Sequence, residues 1–188
     1  MSASIGFIAC SNNNSSKESS ATNTDTTSQA PTTNNNSVAE NTGIINDVVS
    51  RYLSLKNALT NDNGSEAASA AKGIGESLTK VDESSLTPEQ KKMYDEVKDD
   101  IKEHAEHIGA NGSDIKHQRE HFDLLSKDII DLVKATGSSQ TLYRDFCPMY
   151  NNKKGASWLS ETREIKNPYY GKEMPKCGEV KEEIKAKG

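Results

Sequence analysis

Four stretches of the chain repeat apolar residues at helical spacing, each closed by a turn signal. In the first, over residues 43–60, Ile45, Val48, Val49, Tyr52, Leu55 and Leu59 fall on one face. Asn61-Asp62-Asn63-Gly64 ends it. The second, over 65–81, carries a narrow stripe of Ala67, Ala71, Ile74, Leu78 and Val81. Small residues there suit close approach of a neighbouring helix. Gly73 and Gly75 weaken it in isolation by about 1 kcal/mol each, so packing must hold it.

The third stretch has the sharpest start. Thr87-Pro88-Glu89-Gln90 places a capping Thr before a first-turn Pro, with Gln three residues on to complete a capping box. Met93, Val97, Ile101 and Ile108 form its apolar face, and Gly109 with Asn111-Gly112 ends it. The fourth runs from Ser113 to Thr136, stopped by Gly137, with Ile115, Phe122, Leu125, Ile129, Leu132 and Val133 inward. Leu124 lies outside that stripe, which predicts that the C-terminal segment covers a second face.

Short loops between helices of similar length predict an all-α fold, an antiparallel four-helix up-down bundle. Beyond Gly137 the pattern breaks into Pro, Gly, Tyr, Met and Cys with the single Trp. That segment predicts an irregular C-terminal cap with a small β-hairpin, its strands near Thr141–Cys147 and Glu161–Ile165. Trp158, Tyr169 and Tyr170 are assigned to the core of the cap, and Glu179–Lys187 to a frayed final helix.

Composition changes the picture at the N-terminus. Residues 11–42 are almost all Ser, Asn, Thr, Gln and Ala, with no aromatic residue. They cannot bury enough apolar surface to offset their ordering entropy, so they read as a tether. Residues 1–10 end in the apolar run Ile5-Gly6-Phe7-Ile8-Ala9 followed by Cys10. This resembles the remnant of a bacterial lipoprotein signal, with Cys10 as the lipidated residue. The folded domain is then 43–188, carried by a periplasmic or outer-membrane-anchored lipoprotein. A net charge of −5 with no basic face argues against a nucleic-acid partner.

The sharpest chemistry lies in Cys147-Pro148-Met149 and Met174-Pro175-Lys176-Cys177. Each brings a thiol and a thioether together, and these soft donors select Cu(I) over harder ions. The same cysteines suit a structural Cys147–Cys177 disulfide, with the methionines as filler. The four histidines flank the turn between the third and fourth helices. His117 and His121, at i and i+4, project from one face and suit a metal ion. If the cap covers that face, sulfur and imidazole meet there. The roles of His104 and His107 stay open. Arg119 is a candidate partner for Asp123 four residues on. No phosphate-cradling loop or nucleophile–base–orienter set is present in the pattern, so the chain reads as a non-enzyme.

Several long motifs resemble the DUF3347 family. They are Tyr52 to Leu59, His117-Gln118-Arg119-Glu120-His121-Phe122, Cys147-Pro148-Met149, Gly155 to Ser160, Ile165 to Gly171, and Met174 with Cys177-Gly178. The resemblance implies a secreted or lipoprotein domain, also found attached to adaptor subunits of heavy-metal efflux systems. It supplies no catalytic residue set. It implies metal binding, with copper favoured over zinc because of the methionines.

The expectation is a periplasm-facing protein that binds Cu(I) for buffering or delivery to an efflux adaptor. Its ligands are drawn from Cys147, Cys177, Met149, Met174, His121 and His117. Two alternatives stand beside it. One is a non-metal envelope interaction module with a Cys147–Cys177 disulfide. The other is a Zn(II) site of Cys and His.

Overall fold

Helix α1 spans Asn36–Thr60 and buries Ile45, Val48, Val49, Tyr52, Leu55 and Leu59, the stripe that periodicity marks. The computed structural model describes the backbone of residues 36–187 and the side chains of residues 45–187. Cys10 and most of the tether lie outside the described residues. Helix α1 starts earlier than residue 43 because apolar periodicity marks only the part that packs.

Helix α2, Gly64–Leu78, is capped by Asn63, whose side chain accepts from the Glu66 N–H. Ala67, Ala71 and Ile74 are fully buried, and the small side chains let α2 lie close against its neighbours. Helix α3, Pro88–Ala110, begins at the expected capping box, with Thr87 and Gln90 satisfying each other's backbone. Helix α4, Ile115–Thr136, starts two residues later than Ser113, because the Asp114 side chain is the cap and accepts from the His117 N–H at 3.1 Å.

Helix α1 packs on α2, α2 on α3, and α3 on α4, and α4 closes back on α1. One buried glutamine ties three elements at one end. Gln118 of α4 donates to the Gly64 carbonyl at 2.9 Å and the Ile108 carbonyl at 3.1 Å. Arg119 does not pair with Asp123. It reaches Asp62 at 2.6 Å, the Leu59 carbonyl at 3.0 Å and the Pro168 carbonyl at 2.8 Å. It thereby joins α4, the α1–α2 turn and the C-terminal segment.

The C-terminal segment corrects the all-α expectation. The chain is mostly helical but ends in a three-stranded antiparallel sheet of order β2-β1-β3. Its strands are β1 Leu142–Cys147, β2 Ala156–Ser160 and β3 Glu179–Ile184. The hairpin's first strand is where the sequence puts it. Its second is Ala156–Ser160 rather than Glu161–Ile165, because Gly155, at φ 81°, turns the chain earlier. The expected final helix is β3 instead. Its Glu and Lys favour a helix in isolation, but Val180, Glu182 and Ile184 alternate at period two and pair with the edge of β1. Trp158 and Leu159 of β2 are fully buried, and β2 is the strand that packs on α4. Trp158 and Tyr169 are core residues as expected, and Tyr170 is half-buried.

Candidate metal centres

Cys147 is the last residue of β1, and Cys177 precedes β3 by two residues. Antiparallel pairing sets Phe146 opposite Glu179, so the register itself brings the two cysteines together. Their Sγ atoms stand 2.9 Å apart, both as free thiols. Cys147 is fully buried and Cys177 half-buried. Gly178 permits the approach. Its φ is 142°, and a Cβ there would meet the Trp158 ring at 2.9 Å.

The two methionines flank this pair through their backbones. The Met149 N–H donates to the Cys177 sulfur, and the Cys177 N–H donates to the Met174 carbonyl at 3.1 Å. The Tyr170 hydroxyl donates to the Met149 carbonyl at 3.1 Å. Met149 and Met174 are 45% and 38% exposed, two of the three large apolar side chains left at the surface among the described residues. Burial pushes the Cys177 thiol up to about 11, and the neighbouring Cys147 adds to it. Both effects disfavour a lone thiolate, so an ion binding here displaces a proton.

The histidines form a second arrangement. His104 lies seven residues before the α3 C-cap Asn111, and His121 seven residues after the α4 N-cap Asp114. In an antiparallel hairpin these residues stand level, and His107 and His117 stand level one turn nearer the loop. Ligand atoms of His107, His117 and His121 all lie within 4.8 Å of one another. His104 Nδ1 is 3.2 Å from His121 Nδ1. The His107 and His121 rings stack at 4.2 Å, and His117 meets His121 edge-on at 4.6 Å. Burial lowers the pKa of His104 and of His121, and for His121 the other three imidazoles lower it further. Both rings are neutral at neutral pH, the state in which imidazole binds metal.

The six ligands expected from sequence are therefore not gathered into one site. Cys147 and Cys177 meet each other, with Met149 and Met174 beside them. His117 and His121 meet His107 and His104 instead. Among the described residues, the group of three close donors contains no cysteine. The reason lies in the face of α4. Leu124 is 43% exposed and lines an open groove whose other side holds Tyr150, Tyr169 and Tyr170. The C-terminal segment stands across that groove rather than over the histidines, which turn toward α3.

A buried charged cluster escaped the sequence reading. Lys56 is fully buried on α1, with Glu161 at 2.7 Å. Asp145 of β1 is fully buried too, and neither carboxylate oxygen has a hydrogen-bond partner. Burial pushes Asp145 up to about 7, Lys56 pulls it back, and Glu161 raises it. A signal existed, because Lys56 follows Tyr52 by four residues on the core face of α1.

The model of one family, described as a protein of unknown function (DUF3347), matches residues 48–141. The chain belongs to the DUF3347 family. The matched span holds all four histidines and stops six residues short of Cys147. No curated protein and no solved structure matches the chain.

Proposed function

We propose that this DUF3347 chain is a periplasm-facing lipoprotein, anchored through Cys10, that binds Cu(I) for buffering or for delivery to a heavy-metal efflux adaptor. The observation that carries the reading is the Cys147–Cys177 pair, with Sγ atoms 2.9 Å apart between two partly exposed methionines. Two thiols, with two methionines whose backbones flank them, offer soft donors of the kind that favours Cu(I). Exposed thioethers suit transfer, since they bind weakly and face an incoming acceptor. The protein acts by binding and exchange, without catalysis. The scaffold is read as an antiparallel up-down bundle of α1 to α4, which the sequential packing of the helices supports.

The test is a Cu(I) titration of the reduced full chain against a competing chelator. Tight binding is expected, and it is expected to vanish in the Cys147→Ser, Cys177→Ser double variant. Equal affinity in that variant would overturn the sulfur reading.

The same separation favours a second reading, an interaction module with a Cys147–Cys177 disulfide. A disulfide bond needs sulfurs at about 2.04 Å, within reach of a small side-chain movement. Thiol titration of the native purified protein separates the two, giving Cys147 and Cys177 as reactive thiols after denaturation for the copper reading and neither of them for the disulfide. A Zn(II) site of mixed Cys and His has less support, because the cysteines do not join the close histidine group.

A further inference from the structure

The geometry points to a second metal site, separate from the sulfur pair and built only of imidazoles. Its ligands are His107, His117 and His121, and its ion is a borderline divalent cation of the Zn(II) or Cu(II) class. Three observations carry it.

The first is convergence. Donor atoms from two helices lie within 4.8 Å of one another. Around a tetrahedral ion with metal–nitrogen bonds of about 2.0–2.1 Å, ligand nitrogens stand ~3.4 Å apart. Rotation of the half-exposed rings about their own side-chain bonds covers that difference. The backbone stays where the α3–α4 turn holds it, fixed by Gln118 and the Asp114 cap.

The second is the surrounding polar partners. Glu103 Oε1 lies 3.9 Å from His107 Nε2, and Glu120 Oε2 lies 3.8 Å from His117 Nδ1. His104 Nδ1 lies 3.2 Å from His121 Nδ1. Each of the three ligand rings thus has a polar group near one of its nitrogens. A carboxylate or imidazole behind a ligating ring fixes its tautomer and orientation. His104 is a positioning residue in this scheme. In it, His104 Nδ1 accepts a hydrogen bond from the Nδ1–H of His121, the tautomer in which His121 Nε2 keeps its lone pair.

The third is the donor set. Three imidazoles with nearby carboxylates and no sulfur suit Zn(II), Cu(II) or Ni(II) better than Cu(I). Three protein ligands also leave a position open for water or a fourth ligand. The site does not rest on the sulfur reading and stands if that reading fails.

The probe is Zn(II), titrated into the full chain against a chromophoric chelator, with Co(II) as a spectroscopic reporter. One equivalent should bind, and it should bind equally in the Cys147→Ser, Cys177→Ser variant. Bound Co(II) should show no thiolate charge-transfer band in the near ultraviolet. The His117→Gln, His121→Gln variant should bind at least about tenfold more weakly, with its helical circular dichroism unchanged. Absence of binding, loss of binding in the cysteine variant, or full binding in the histidine variant would overturn the proposal. If the histidine variant loses helicity, the imidazole proton resonances of the unsubstituted chain decide. Zn(II) should move those of His107, His117 and His121, and unmoved signals would overturn the site.

Discussion

The side-chain amide of Asn167 donates to the carbonyl of Cys177 at 2.6 Å. Its Oδ1 accepts from the Tyr169 and Tyr170 N–H groups at 2.8 and 3.1 Å, and the Asn167 backbone N–H donates to the Pro175 carbonyl at 2.9 Å. One fully buried side chain therefore folds the turn from Asn167 to Gly171 and holds the segment that carries Cys177. The position of Cys177 against Cys147 depends on Asn167 as well as on strand register.

Replacing Asn167 with Ala removes three hydrogen bonds, one buried and two partly buried. Each contributes on the order of 1 kcal/mol, so a loss of about 2–3 kcal/mol is expected in denaturant unfolding. Native-state alkylation of Cys177 should accelerate as its segment loosens. Unchanged alkylation would show that β3 pairing alone positions the thiol.

Arg119 offers a test of how the C-terminal segment is held to the helices. Its guanidinium reaches a carboxylate and two carbonyls on separate elements. A lysine ammonium cannot reproduce that fork. Arg119→Lys should therefore cost about 1–3 kcal/mol of stability, read from the urea midpoint. A midpoint equal to that of the unaltered chain would mean that the segment is held by Asn167 and the aromatic contacts alone.

Asp145 predicts a pH dependence. Its carboxyl titrates near 7 in the folded chain, above the unfolded value of about 3.9. The folded state binds the proton more tightly. Its contribution is thus full below about pH 4 and is lost as pH rises through 7. The total is at most about 4 kcal/mol. The lowered values of His104 and His121 act in the opposite sense, adding stability as pH rises through the normal histidine range. The comparison is therefore with Asp145→Asn. The difference in stability between the two chains should change steadily from pH 4 to 7, in favour of the asparagine variant. A constant difference would show that Asp145 stays ionised.

The helices were legible because their signals are local. The Thr87–Gln90 capping box, the α1 stripe and the Gly137 stop each act within a few residues. The last strand was not legible, because Glu179–Ile184 becomes a strand only through the edge of β1, some 35 residues away. The candidate ligands were legible as residue types. Their grouping was not, since it depends on which way α4 faces. His117, His121 and Leu124 share a helix face, yet the imidazoles pack toward α3 while Leu124 looks into the groove. Asp145 gave no warning, because its burial follows from pairing with Trp158 in β2 and Val180 in β3.

Proton release distinguishes a working thiol pair from an inert one. With its pKa at about 11, Cys177 carries its proton at neutral pH. A metal ion binds the thiolate, so it must expel that proton. The reduced chain should release at least one proton per Cu(I) bound in weakly buffered solution at pH 7, followed by pH-stat or an indicator dye. The ligand His121 is already neutral there, so an ion at its ring has no proton to displace. Release should therefore disappear in the Cys147→Ser, Cys177→Ser variant and persist in the His117→Gln, His121→Gln variant. Copper uptake without proton release from the unaltered chain would remove the sulfur pair from the copper site.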